Sequence, residues 1–311
     1  TLRSVLGRRG VRRRRTSRLA TALVVLATAA WSIPTLGLAV TSFRTNEAQA
    51  YAGWWRVVVD HQVSLDSYTE VLTGGDLLPT GIWPYLVSSL VIVLPVMAVG
   101  LTIAAMAAYG LAWLRVPVSG LLIGIVVGLQ VVPVQMTLLP LLKLFSVGWS
   151  IGPIPVVPAL TNAAGKPLFA GTYVPLWFTH AVLLLPLAVL LLHRAMVEVP
   201  RALVDAARVD GASHPVIFRS VVLPLCLPTL AALGIFEFLW VWNDLLIAST
   251  FVPGGSDYAP VTAYLSYLNG ALQQDNLLSA GTFVAILIPL AVFFAMQRHF
   301  ARGLTAGALH E

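Results

Sequence analysis

Two runs of 27 residues, 86–112 and 116–142, contain no Asp, Glu, Lys or Arg, and only three residues, including Arg115, separate them. As helices each would extend about 40 Å, more than a ~30 Å hydrocarbon core requires. Few environments accept such segments. With 58% hydrophobic and 10% charged residues and a mean hydropathy of +0.85, 311 residues cannot hide this much apolar surface in one soluble core. The expected fold class is an all-α polytopic membrane protein. Spans this long must tilt or kink, and Pro95, Pro133 and Pro140 offer places to do so.

Four more apolar stretches complete a set of six: 19–43, 172–192, about 221–250, and 278–296. The first follows an Arg-rich start, as a signal peptide does. Its 25 uncharged residues exceed a 7–15-residue signal core, so it is expected to be a retained span. Residues 44–83 hold Glu47, Asp60, Asp66, Glu70, Asp76 and the pair Trp54-Trp55, which reads as an exposed loop with the tryptophans near the membrane interface. Residues 145–171, with Asn162 and Lys166, read as a loop. Residues 251–277 read as a polar loop with a turn at Gly254-Gly255.

Six spans place both ends on one side. With the ends inside, fifteen of the nineteen Lys and Arg lie on that side and four outside, which the positive-inside rule favours. Residues 1–18 are then a cytoplasmic Arg-rich tail and 19–311 a transmembrane unit. The tail abuts an apolar stretch and lacks interleaved aromatics, so it reads as a membrane flank and not as a nucleic-acid site. The single cysteine, Cys226, excludes an internal disulfide and a cysteine-based structural zinc site. No metal site is expected.

The longest charged internal loop lies between spans four and five. Pro200 suits a first helical turn, 202–209 are good or tolerated helix formers, Gly211 suits a left-handed stop, and Ser213 with Pro215 suits a second start. The expected local structure is helix, glycine turn, helix, projecting into the cytoplasm. A plain connector is the competing reading.

These residues also carry a resemblance. Ala206-Ala207, Asp210-Gly211-Ala212-Ser213, Phe218, Leu223-Pro224-Leu225 and Pro228 resemble the EAA loop of ABC importer permeases, with Asp205 where that family has Glu. Thr41-Ser42-Phe43-Arg44, Leu65-Asp66-Ser67-Tyr68 with Val71-Leu72, the run 107–112, Trp240-Val241-Trp242-Asn243-Asp244 and the segment 297–308 are similar to the maltose-type carbohydrate-uptake subfamily. The chain has Leu309-His310-Glu311 where that subfamily ends in a Lys-Gly pair. Residues 260–307 look most like permeases for glucosides and related sugars.

The resemblance implies a type I importer fold in a bacterial inner membrane. It implies a subunit that moves a sugar inward by alternating access, with the loop at 199–224 as its coupling element. The implied partners are a second homologous permease, a cytoplasmic ABC ATPase dimer carrying ATP and Mg, and an extracytoplasmic solute-binding protein. Asp205, Ala206, Ala207, Asp210, Gly211, Ala212, Ser213 and Phe218 would meet the ATPase. No cofactor is expected on this chain, and no enzymatic activity. It lacks a G-x-x-x-x-G-K-[ST] loop, and Gly165-Lys166 is followed by Pro167.

Glu237 and Asp244 fall in or near span five, where an unpaired acid costs at least ~2.5–3.5 kcal/mol. Seven residues apart, they share a helix face with Trp240 between them. With Asn243 they suit sugar binding, by ring stacking and hydroxyl hydrogen bonds; subunit packing or a gate is the alternative. His180 reads as a helix–helix hydrogen-bonding residue without a sequence-near acid. Tyr264 and Tyr267 fit a binding-protein contact and an interface anchor equally. The other classes weighed are permeases for polyols or glycerol phosphate, a secondary transporter, which would show inverted repeats, and a membrane enzyme, whose motifs are absent.

Overall fold

The computed structural model describes residues 18–45, 53–60, 63–75, 78, 80–114, 116–157, 159, 173–252, 259–272 and 274–307. Residues 1–17 of the Arg-rich start, Arg115, Asn162, Lys166 and the Gly254-Gly255 turn lie outside the described residues.

The helices in chain order are α1 (Arg18–Ser42), α2 (Val57–Asp60), α3 (Asp66–Thr73), α4 (Trp83–Trp113), α5 (Ser119–Leu129), α6 (Val134–Val147), α7 (Val174–Val197), α8 (Arg201–Val209), α9 (His214–Leu225), α10 (Leu227–Trp242), α11 (Leu246–Phe251), α12 (Val261–Tyr267) and α13 (Asp275–Gly307). Four are long and apolar enough to cross a membrane. Counting the bent pairs α5–α6 and α9–α10 as one span each gives six.

The prolines bend the spans selectively. Pro133 lacks an N–H and disfavours helical Val132, and there α5 and α6 meet at 98°. Pro95 lies inside α4 without breaking it. The proline removes the bond to the carbonyl of Val91, four residues earlier, and the Trp177 indole of α7 donates to that carbonyl at 2.9 Å. The repair also cements α4 on α7, the most extensive helix pairing in the fold. Pro224 has a different effect: a π turn at Phe218–Val222 widens α9 just before it.

Span five departs from expectation. It is broken by 75° at Cys226 and ends at Trp242, so 221–250 is three helical pieces. The described parts of the segment 44–83 are also more structured than a loop. Arg44 is buried, and its Nη1 donates to the Gly53 carbonyl at 2.9 Å. Ser42 and the Tyr68 hydroxyl share a hydrogen bond at 2.9 Å, and Asn276 Nδ2 of α13 donates to Ser67 Oγ at 3.0 Å. Trp54 rests against bare Gly37 of α1, while Trp55 is exposed. Period-3.6 patterning is hard to see in eight residues such as Asp66–Thr73. The segment 145–171 likewise opens with the end of α6 and an antiparallel hairpin, β1 (Trp149–Ile151) and β2 (Ile154–Val157), turned by Gly152 at φ +60°.

Two apolar cores divide the molecule. One joins α3, α4, α7, α10, α11, α12 and α13 through Ile92, Leu176, Phe238, Ile247, Tyr264 and Leu277. The second lies below it around Ala104, Ala108, Leu192, Met196, Val204, Ile217 and Leu233. In the second core three alanines of α4 (Ala104, Ala105 and Ala108) admit the residues beneath. Helix α1 stays peripheral: it packs on α13 and leaves most side chains exposed.

Candidate functional site

The charged stretch after α7 folds as helix, turn, helix. Pro200 stands one residue before α8 as its N-cap. Gly211 has φ +81°. Its N–H bonds the Arg208 carbonyl at 3.0 Å, and the Ala212 N–H bonds the Ala207 carbonyl at 2.9 Å. That pair of bonds is a Schellman stop. Ser213 is extended and starts α9 through its carbonyl, which accepts from the Ile217 N–H. Its side chain makes no capping bond, so the hydroxyl cap suggested by residue type is not used.

The knuckle is mounted rigidly. Val204 and Ile217 plug the lower core. The Tyr109 hydroxyl of α4 meets His214 Nδ1 at 2.9 Å, and the Tyr109 ring lies 5.1 Å from the Phe218 ring. The Trp113 indole donates to the Met196 carbonyl at 3.1 Å. A push on α8 or α9 therefore reaches α4 and α7 through packed side chains and hydrogen bonds.

The outward face of the knuckle combines charge with exposed apolar groups. Asp205 and Arg208 pair at 3.4 Å in solvent, a contact of little stability value. Ala206, Asp210, Gly211 and Ser213 are exposed, and Ala207, Ala212 and Phe218 half-buried. Leu203, Val216 and above all Val209, 87% exposed, join them. These apolar side chains stand exposed beside the charged ones on the two helices of the knuckle. Sequence reasoning missed these three, together with Tyr109 and His214; the readable signal was valine and leucine on a short, otherwise polar helix.

The second predicted constellation is not brought together as expected. Glu237 is buried against α4, with Oε2 3.8 Å from where a Cβ on Gly100 would stand. Neither of its oxygens has a hydrogen-bond partner among the described residues. Trp240 is instead 41% exposed, so it does not share the buried face of Glu237. Asp244 lies beyond the helix end. Its Oδ2 accepts from the Ile247 and Ala248 N–H groups at 3.0 and 3.1 Å, capping α11. A seven-residue spacing gives a common face only if the helix continues, and it stops at Trp242. Asn243 is exposed, with Nδ2 donating to the Leu239 carbonyl.

His180 proves to have an acidic neighbour after all. Its Nε2 lies 3.5 Å from Asp244 Oδ2, and its Nδ1 faces the Leu176 carbonyl at 2.8 Å. Thr262 Oγ1 donates to the Asp244 carbonyl at 2.7 Å, and Ser89 Oγ accepts from the Val261 N–H at 2.8 Å. These bonds tie α4, α7, α11 and α12 together. Among the described residues no cluster of three or more His, Cys, Asp or Glu is placed to hold a metal ion.

A profile of the family described as "Binding-protein-dependent transport system inner membrane component" matches residues 100–306. The chain belongs to this family. It is a helical membrane permease of the ABC importer type, and the match spans the knuckle and both broken spans.

Among its relatives is the osmoprotective compounds uptake permease protein GgtD of Synechocystis sp., 37% identical over 90% of this chain and 87% of that one. The alpha-glucoside transport system permease protein AglG of Rhizobium meliloti is 42% identical over 79% of this chain, spanning 60% of its own length. A solved bacterial ABC transporter involved in the import of the acidic polysaccharide alginate superposes with a TM-score of 0.66. That match is at 15% identity and covers 91% of this permease and 95% of that chain. This likeness concerns the fold.

Proposed function

We propose that the permease imports an uncharged sugar or a comparable polyhydroxyl solute, as one of two membrane subunits driven by a cytoplasmic ABC ATPase dimer. ATP and Mg are held by the ATPase. A homologous permease completes the pathway, and an extracytoplasmic solute-binding protein delivers the solute. The names of the glucoside and osmoprotectant permeases support the solute class.

The observation that carries the coupling role is the knuckle: a Schellman turn at Gly211, fixed to α4 by Tyr109 and presenting Leu203, Val209, Val216 and Asp205 outward. Seated on the ATPase, it would convert closure of that dimer into motion of α4 and α7. Both chain ends and the knuckle lie on the cytoplasmic side, in keeping with the basic asymmetry. Reconstitution with the partner permease, the ATPase and the binding protein tests the reading. ATP-dependent uptake of a labelled glucoside into proteoliposomes is expected; uptake of anionic glycerol phosphate alone would contradict it.

A further inference from the structure

The third span is interrupted where interruption is least tolerated. α5 ends at Leu129 and α6 begins at Val134, and the two meet at 98° with 11 helical residues before the break and 14 after it. The break therefore falls inside the hydrocarbon layer. Irregular backbone at that depth occurs only where protein covers it or where it lines a water-filled space. α5 touches α7, but the described residues leave the break itself uncovered. No residue of α5 is buried, and a Cβ on Gly120, Gly124 or Gly128 would meet nothing within 4 Å. Gln130, Val131, Val132, Pro133, Gln135 and Met136 are all exposed.

Two of those six residues are glutamines, one on each side of Pro133. Neither side chain has a hydrogen-bond partner among the described residues. The end of α10, at Trp242, is a neighbour of this break. α11, which follows it, packs on α6, with Leu138, Ile247 and Ala248 in one core and the Phe145 and Phe251 rings 5.8 Å apart. At the end of α10 Asn243 is exposed and has only its Nδ2 engaged.

We propose that the carboxamides at the α5–α6 break and at the end of α10, Gln130, Gln135 and Asn243, line the translocation pathway and hydrogen-bond an uncharged, hydroxyl-rich solute. A carboxamide offers both a donor and an acceptor, as a hydroxyl does, so three of them exchange bonds with a sugar without desolvating a charge. Basic residues that could hold an anion are sparse in the sequence around these positions. The nearest Lys or Arg in sequence to either glutamine is Lys143, and Asn243 stands next to an acid, Asp244. The assignment rests on the transport reading above and adds the residues and the solute chemistry.

Cysteine accessibility tests it in the assembled importer. Gln130→Cys, Gln135→Cys and Asn243→Cys are made in a Cys226→Ser background, with Leu26→Cys and Leu121→Cys as exposed apolar controls. A charged, membrane-impermeant methanethiosulfonate should modify the three test positions about tenfold faster than the controls, because only a hydrated path admits it. Whichever of trehalose, sucrose or methyl α-glucoside the wild-type complex takes up should slow the reaction, and glycerol 3-phosphate should not. Rates equal to the controls, or rates that the transported sugar leaves unchanged, would overturn the proposal. Failure of the wild type to take up any of the three sugars would count against the transport reading. The comparison of modification rates with the controls stands apart from that outcome.

Discussion

Gly211 has open space around it, so a side chain there would meet no neighbour. The obstacle is the backbone, because φ +81° costs a residue with a Cβ roughly 1 kcal/mol or more, and a β-branched one more. Gly211→Val should therefore misdirect α9 while leaving the spans intact. Uptake and co-purification of the ATPase should both fall, with membrane levels near those of wild type and Gly211→Ala intermediate. Quantitative uptake and pull-down check this. Glu237 presents the opposite case, a buried carboxyl with no hydrogen-bond partner among the described residues and enclosed by apolar helices. Glu237→Gln should keep or raise the melting temperature of the detergent-solubilised protein, whereas Glu237→Lys should abolish accumulation, since a cation there would be buried without a counter-charge. A Gln variant that fails to accumulate would show that the acid itself is needed.

Among the elements, the contact between α4 and α9 joins the knuckle to the spans. Tyr109→Phe removes the hydroxyl that meets His214 but keeps the ring on Phe218. The expected cost is about 0.5–1.5 kcal/mol of stability. ATP hydrolysis should persist while solute moved per ATP declines, which parallel uptake and phosphate-release assays would reveal. At the outer end, Asp244→Ala removes the cap of α11 and the acidic neighbour of His180. A loss of about 1–2 kcal/mol is expected, read as a lower melting temperature. The helices of the knuckle were legible because proline and glycine act locally, although Ser213 starts α9 without the side-chain cap its type suggests. The broken end of span five was not. The run 221–250 has no charged residue except Glu237 and Asp244, and nothing in it marks where tertiary packing ends the helix. That unseen end separated Asp244 from Glu237. The burial of Arg44 and the His180–Asp244 approach were equally hidden, because both depend on residues far apart in sequence.

At the scale of the whole molecule, the count of long charge-free runs predicted the helical membrane fold, and the structure has four helices long and apolar enough to span, or six spans when each bent pair counts as one. Composition measures how much apolar surface there is, not where a span bends. Only the prolines hinted at the bends, and Pro95 shows why a proline alone does not decide: the Trp177 indole takes up the freed carbonyl and α4 continues. The two-core arrangement sets the functional geometry. The lower core carries the knuckle and the break at Cys226, the upper core carries the α5–α6 break and the end of α10, and α4 and α7 run through both. In this account, motion applied at the knuckle changes access to the breaks. The most direct measurement is site-specific photo-cross-linking from position 209, the most exposed apolar side chain of the knuckle. In the assembled importer, benzoylphenylalanine at 209 should cross-link to the ATPase subunit, and the adduct should vanish when that subunit is omitted. Efficient cross-linking to lipid, or none to the ATPase in a complex that still transports, would contradict the coupling role.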